Sequence, residues 1–168
     1  MSTNDFKTLF EFNSWANART LQAVDSLSEE LLYIDLKNSF GSIHGTLVHL
    51  CGAEDIWLQR MNGADPGVFM KKDIFPTYAS VKTKWNDVNT GWEKYISNLT
   101  ELELAKTLTF HNLKGEKVTQ IVWQSLQHVV NHSTYHRGQI TTMIRQSGVT
   151  PIGTDLIAFY RLKNNAKS

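Results

Sequence analysis

Residues 78–99, YASVKTKWNDVNTGWEKYISNL, carry the most regular hydrophobic period of the chain. Large apolar side chains recur there at alternating steps of three and four residues, at Tyr78, Val81, Trp85, Val88, Trp92, Tyr95 and Leu99. This spacing places one apolar stripe along an α-helix and is typical of a seam between packed helices. The segment therefore predicts a helical bundle.

Three further segments are amphipathic in the same way and predict the other long helices. The first begins near a cap at Thr3 or Asn4 and carries apolar residues at helical spacing as far as Val24. A second helix is predicted over Ser42–Met61, and the last long helix over Gln120–Gln146. Four long amphipathic helices in one chain predict an all-α fold, a four-helix bundle.

The connections are marked by prolines and by a change of period. All three prolines lie outside the predicted long helices, which is expected because a proline inside a helix costs about 3 kcal/mol. Within 107–119 the residues predict a short β-hairpin inserted before the last long helix, and Asp155–Leu162 predicts a short C-terminal helix. The sequence contains no internal repeat or linker-like segment, so we expect a single domain over residues 1–168.

The charge balance excludes two classes of partner. The chain has 17 lysines and arginines against 16 aspartates and glutamates, a formal charge of +1 with its six histidines neutral. A chain with this balance has no excess of positive charge to form the basic surface that attracts nucleic acids or anionic membranes. The apolar stretches are also shorter than the roughly 18 residues that a membrane span needs. We therefore expect no nucleic-acid partner and no membrane partner.

The cysteine content and the N-terminal residues bear on the compartment. Cys51 is the only cysteine, so an intrachain disulfide is excluded. Residues 1–8 include Asp5 and Lys7 and lack the apolar core of a signal peptide. We therefore expect a cytoplasmic protein.

The last predicted helix carries three histidines at successive steps of four residues, His128, His132 and His136. Each step advances about 40° around the helix, which puts His136 within the apolar stripe, His132 beside it and His128 at its rim. A buried polar group without a partner costs about 1–3 kcal/mol. A shared divalent metal ion would satisfy His132 and His136 together. The alternative is a row of solvated or internally bonded histidines.

A third metal ligand is expected from another helix, because catalytic zinc usually takes three protein ligands and keeps one position open. His49 is the best candidate, since it lies on the flank of the apolar helix over Ser42–Met61. A core histidine bonded to a backbone carbonyl is the competing interpretation. His44 and His111 are predicted to be surface or capping residues. Cys51 lies about 200° around the helix from His49, which disfavours a metal shared by these two.

The spacing of His132 and His136 also occurs in zinc peptidases, where a glutamate directly after the first histidine is the general base. Ser133 occupies that position in this chain. A metallopeptidase would therefore lack its catalytic acid and base, and we do not favour that activity.

Short motifs in three of the predicted helices belong together. They are FNSWAN (12–17), TLVHLCGAEDIW (46–57) and NHSTYHRGQ (131–139), and a later segment over 151–157 fits the same pattern. Together they resemble the DinB/YfiT-like family of metal-binding four-helix bundles. The resemblance implies an antiparallel bundle, often a homodimer, with a divalent ion such as zinc or nickel. In this chain the implied ligands are His49, His132 and His136.

The same resemblance implies metal-dependent chemistry in which low-molecular-weight thiols take part. A divalent ion held by three neutral imidazoles lowers the pKa of a bound thiol or water. The leading hypothesis is a metal-dependent thiol S-transferase acting on small electrophiles. The alternatives are a metal-dependent hydrolase and a non-catalytic metal-binding or stress-response bundle. The sequence does not separate them and assigns no catalytic residue.

Four polar residues near these motifs have roles that the sequence leaves open. Asn13 and Asn17 interrupt the apolar stripe of the first helix and are expected to hydrogen-bond within the bundle or near the site. Arg137 and Gln139 are either partners of the ligating histidines or an exposed helical pair.

Two further positions in the last helix carry expectations. Gly138 predicts the close approach of a neighbouring helix, because glycine there costs about 0.5–1 kcal/mol relative to alanine. Many relatives have a second histidine directly before the last one, and this chain has Tyr135. Its ring is expected to point away from the His136 direction and to play no part in ligation.

Overall fold

The computed structural model describes residues 1–66, 70–71, 73–112 and 114–166. Residues 167–168, the end of the predicted domain, lie outside this part. Within the described residues the chain forms seven helices and a two-stranded sheet, in the order α1 (Thr3–Val24), α2 (Glu29–Tyr33), α3 (Ile43–Met61), α4 (Tyr78–Ser97), α5 (Glu101–Ala105), β1 (Thr107–His111), β2 (Lys117–Ile121), α6 (Val122–Gln146) and α7 (Leu156–Asn165).

The four long helices α1, α3, α4 and α6 form the predicted antiparallel bundle. Helices α1 and α3 each pack against both α4 and α6, so the four surround a common core. The stripe that predicted α4 faces this core, because Val81 and Trp85 are fully buried and Val88 is 1% exposed. No helix in the described part of the chain is both long enough and apolar enough to cross a membrane.

The start of α1 differs from the prediction. Ser2, rather than Thr3 or Asn4, is the N-cap, and Thr3 is already helical. The Ser2 hydroxyl accepts a hydrogen bond from the Asp5 amide at 3.3 Å, and the Asp5 carboxylate accepts one from the Ser2 amide at 2.8 Å. This reciprocal pair is a capping box, which satisfies amides that an open helix end leaves unpaired.

The predicted hairpin is present and longer than expected. β1 pairs antiparallel with β2, with Leu108 opposite Gln120 and Thr107 opposite Ile121. Because Gln120 and Ile121 pair within the sheet, α6 begins at Val122 instead of Gln120.

The hairpin is fastened to the C-terminal end of α3 by Arg60. The Arg60 guanidinium is 5.0 Å from the Trp57 ring centroid and 4.1 Å from that of Phe110 on β1. Its Nη2 donates to the His111 carbonyl at 2.9 Å. Arg60 is 5% exposed, so these cation–π contacts form in a largely water-free environment, where they are strongest.

Candidate metal centre

Three histidines from two helices meet at the seam between α3 and α6. Nε2 of His49, on α3, is 3.4 Å from Nε2 of His132 and 3.2 Å from Nε2 of His136. The Nε2 atoms of His132 and His136, one turn apart on α6, are separated by 3.0 Å. Among the described residues, these three side chains form a group able to hold a metal ion. The structure thus brings together all three predicted ligands.

The spacing of the three nitrogens fits a divalent metal. Metal–nitrogen bonds of about 2.0–2.1 Å in a tetrahedral zinc site place two ligand nitrogens about 3.3 Å apart. The three separations here lie between 3.0 and 3.4 Å. Imidazole also suits zinc and nickel as a ligand. The donor set therefore fits the metal that the resemblance implies, and ligation itself stays a prediction.

The surroundings of the cluster favour neutral imidazoles. Burial, with the neighbouring His136, lowers the pKa of His49 to about 4. Burial, with the adjacent histidines, lowers the pKa of His132 to about 3. Burial also lowers the pKa of His136, against the effect of its hydrogen bond to Gln139. At neutral pH the three rings are therefore uncharged, which is the form that binds metal.

Gln139 fixes the tautomer of one ring. Nδ1 of His136 donates to Oε1 of Gln139 at 2.7 Å. A proton held on Nδ1 leaves the lone pair on Nε2, the nitrogen that points into the cluster. Of the two alternatives for Gln139, the structure shows the partner of a cluster histidine.

Phe40 covers one side of the cluster from the loop between α2 and α3. Its ring stacks on His49, with centroids 3.9 Å apart and planes inclined by 15°, and it meets His136 edge-on at 5.5 Å. The loop is held by Asn38, whose Oδ1 accepts from the Phe40 amide at 2.8 Å. Phe40 was not predicted from the sequence, because it lies in an irregular segment without a hydrophobic period.

His128 lies at the other end of the histidine row. Its ring centroid is 5.5 Å from that of His132 and 5.4 Å from that of Trp57, which it meets edge-on. It does not belong to the group of converging nitrogens. The predicted position of His128 at the rim of the stripe is therefore correct.

A buried polar network lies beside the histidines and is centred on Glu54 of α3, which is 1% exposed. A buried carboxylate is tolerated only when its oxygens are hydrogen-bonded. Each of the other three long helices donates to this one: Asn13 Nδ2 (2.8 Å) and Asn17 Nδ2 (2.9 Å) from α1, Trp85 Nε1 (3.0 Å) from α4 and Ser133 Oγ (2.7 Å) from α6. The expectation that the two asparagines bond within the bundle is confirmed.

Arg137 completes this network and is 1% exposed, so it is not part of an exposed pair. Its Nη1 donates to Oδ1 of Asn13 at 2.6 Å and to Oδ1 of Asn17 at 2.8 Å, while Nη2 donates to Thr134 at 2.9 Å. Burial lowers the pKa of Arg137 to about 10, partly offset by Glu54, so it stays protonated at neutral pH. The asparagines thus bridge a buried cation and a buried carboxylate.

The remaining histidines and the cysteine lie outside the cluster. His44 was predicted to be a surface or capping residue, and the surface alternative is wrong: His44 is 3% exposed, because α2 covers the start of α3 and places the Tyr33 ring 4.8 Å from its own. His111 is exposed and pairs through Nδ1 with Asp65 at 2.6 Å. Cys51 is buried, away from the three converging rings.

Two neighbours of His136 face outwards. The prediction of a close helix at Gly138 was wrong, because a Cβ placed there meets nothing within 4 Å. Tyr135 is 63% exposed, but its ring meets that of His136 edge-on at 5.0 Å, so the expectation that it points away from His136 was wrong. It therefore flanks the imidazole without joining the converging nitrogens.

Comparison with known proteins agrees with this fold. The chain matches the model of the DinB family over residues 1–167. It is 32% identical to the protein DinB of Bacillus subtilis (strain 168) over 160 residues, 92% of this chain and 92% of that protein. It is 26% identical to the uncharacterized protein YizA of the same organism over 162 residues, 88% of this chain and 91% of that protein.

A solved structure has the same fold. The crystal structure of a DinB-like protein from Bacillus cereus ATCC 10987 is similar with a TM-score of 0.61 and 25% sequence identity, covering 83% of this chain and 92% of that chain. The family match spans almost the whole chain, and a DinB relative above 30% identity accompanies it. The resemblance seen in the sequence is confirmed, and the chain belongs to the DinB family.

Proposed function

We propose that this protein binds a divalent metal ion, zinc or nickel, through His49, His132 and His136. The observation that carries the proposal is the convergence of three Nε2 atoms separated by 3.0 to 3.4 Å. Three protein ligands leave one position of a tetrahedral ion for water or substrate, whereas structural zinc sites usually have four, often cysteines. The arrangement therefore favours a working site over a structural one.

We further propose that the site transfers a low-molecular-weight thiol to a small electrophile. A divalent ion, when bound, supplies positive charge that lowers the pKa of a thiol beside it. Other residues of the chain set the charge, orientation and exposure of the three histidines. Burial keeps the imidazoles neutral, Gln139 orients the His136 ring, and Phe40 shields His49 from water on one side.

Metal content tests the ligand assignment. We expect purified wild-type protein to hold a stoichiometric amount of zinc or nickel, and a His132→Ala/His136→Ala double variant to hold almost none. His128→Ala is the matched control. His128 is the neighbouring histidine on the same helix, but it does not belong to the group of converging nitrogens. Equal metal content in the double variant and the wild type would refute the assignment.

Turnover tests the reaction class. We expect a chromogenic electrophile to be consumed only when a cellular thiol and the metal are both present, with activity lost on chelation and restored on adding metal back. Metal-dependent hydrolysis without a thiol would point to the hydrolase instead. Metal binding without turnover of either kind would leave a non-catalytic metal-binding bundle.

We also propose that the protein is a homodimer, as the family resemblance implies, and that it is cytoplasmic, as its single cysteine and its N-terminal residues suggest. Light scattering during size-exclusion chromatography gives the mass of the particle in solution. A mass matching one chain of 19.1 kDa at micromolar concentration would contradict the dimer.

A further inference from the structure

The buried network and the histidine cluster both use side chains of α3 and α6, at nearby positions along each helix. On α6, His132 is followed by Ser133 and His136 by Arg137, so each of the two cluster histidines on this helix is adjacent to a residue of the network. Helix α3 carries both His49 and Glu54. The hydrogen bond from Ser133 to Glu54, at 2.7 Å, is therefore a direct tie between the two helices that supply the three rings.

A second tie connects Glu54 to α6 through α1. Asn17 donates to the Glu54 carboxylate at 2.9 Å and accepts from Arg137 at 2.8 Å. Asn13 repeats the same bridge, with distances of 2.8 and 2.6 Å. Two anchors one turn apart on α6 fix both the rotation of that helix and its height relative to α3.

We infer that Glu54 is a positioning residue of the histidine cluster, acting through Ser133 and through the asparagine bridge to Arg137. The inference rests on the proposed function only where the cluster holds a metal, since the distances between the rings are a property of the protein itself.

Small rotations of α6 make such anchors necessary. A side-chain tip about 5–6 Å from a helix axis moves about 1 Å for each 10° of rotation. Metal–ligand distances in a good site vary by only about 0.2 Å. Apolar packing resists rotation through many weak contacts, whereas a hydrogen bond to a carboxylate is directional and stronger. The Glu54 ties therefore hold the three nitrogens at the separation a metal needs.

The test compares two buried serines of α6. Ser133→Ala removes the tie to Glu54. Ser125 is also buried, at 1% exposed, and its hydroxyl donates to the Ile121 carbonyl at 3.4 Å, so Ser125→Ala removes a buried serine hydroxyl that is not bonded to Glu54. With Co²⁺ as the probe, we expect Ser133→Ala to weaken binding about tenfold and to change the visible absorption bands that report coordination geometry. We expect Ser125→Ala to keep the wild-type affinity and spectrum.

The same variants are read in metal-free protein by the ¹⁵N chemical shifts of the histidine rings. We expect Ser133→Ala to shift the Nε2 resonances of His49 and His132, and Ser125→Ala to leave them unchanged. If wild-type protein takes up no Co²⁺, the proposed function fails and these shifts alone decide the inference. Wild-type shifts and wild-type Co²⁺ binding in Ser133→Ala would overturn it, and so would equal effects of the two variants.

Glu54→Gln tests the residue itself. We expect it to weaken Co²⁺ binding more than Ser133→Ala, because both ties pass through the carboxylate. Adding Ser133→Ala to Glu54→Gln should then cost less than it costs in the wild type, since the two residues act as a unit. If the effects of the two substitutions on Co²⁺ binding are fully additive, Glu54 does not act through Ser133. If Glu54→Gln does not fold, the comparison of the two serines still decides.

Discussion

Arg137 has almost no contact with water, yet it carries a charge at neutral pH. Its partners are neutral asparagine and threonine oxygens, and the nearest balancing charge in the network is the Glu54 carboxylate on the far side of the asparagines. Replacing Arg137 would leave the Glu54 carboxylate buried without the positive charge that balances it across the asparagines, and an uncompensated buried charge is costly.

We therefore expect Arg137→Met to lower the free energy of unfolding of the metal-free protein by about 3–5 kcal/mol, measured by urea denaturation. Arg145→Met is the control, because Arg145 is exposed on the same helix and its loss should change stability by about 0.5 kcal/mol or less. Similar effects of the two substitutions would contradict the role of the network.

Gly138 lies on the exposed face of α6. Its Cβ position is empty, so Gly138→Ala should raise the free energy of unfolding by about 0.5–1 kcal/mol through helix propensity alone. Gly91→Ala is the contrasting variant, because its Cβ would overlap with Cδ2 of Leu58. We expect no such gain there, and thermal unfolding of both variants checks the difference. A loss of stability in Gly138→Ala would indicate that a neighbour occupies this face.

Among the elements, the loop that carries Phe40 places an aromatic ring against His49 and His136. Burial is the main cause of the low pKa of His49, about 4. Phe40→Ala exposes that ring, the charged form is then penalised less, and the pKa of His49 should rise towards 6.5. Proton NMR titration of the metal-free protein measures this. Ile34→Ala, an exposed position at the start of the same loop, should leave the pKa unchanged.

The long elements could be predicted from sequence because each repeats its apolar period over several turns. Helices α2 and α5 have only five residues each, too few for a period, and both were missed. The end of the hairpin was misplaced for a related reason. Gln120 and Ile121 suit either a strand or a helix start, and pairing with Leu108 and Thr107 decides between them.

The candidate site was partly predictable on the same grounds. The histidines could be found because imidazoles on or beside an apolar face are conspicuous. The function of Glu54 could not, since it depends on which side chains of three other helices meet it, and only tertiary packing determines that. The burial of His44 under α2 was missed in the same way.

For the molecule as a whole, the cluster predicts how stability depends on pH. In the unfolded chain His49 and His132 titrate near 6.5, whereas in the folded protein their pKa values are about 4 and about 3. Between pH 6.5 and pH 4 the unfolded state therefore binds more protons than the folded state. Stability must fall as the pH is lowered through this range.

We expect urea denaturation of metal-free protein to give a lower free energy of unfolding at pH 5 than at pH 7. In His132→Ala this decrease should be smaller, because one of the shifted groups is absent. An equal decrease in both proteins would assign the pH dependence to other residues.

The positions of the three histidines along the chain also bear on the order of assembly. His132 and His136 need only one helical turn to face the same point, whereas His49 lies 83 residues before His132 and can meet them only when α3 and α6 have packed. An ion bound by His132 and His136 would hold that turn of α6 in helical form before the rest of the chain has folded. Metal supply during synthesis would then affect how fast the bundle assembles, and ions held by the unfolded chain would reduce the net stabilisation of the finished protein.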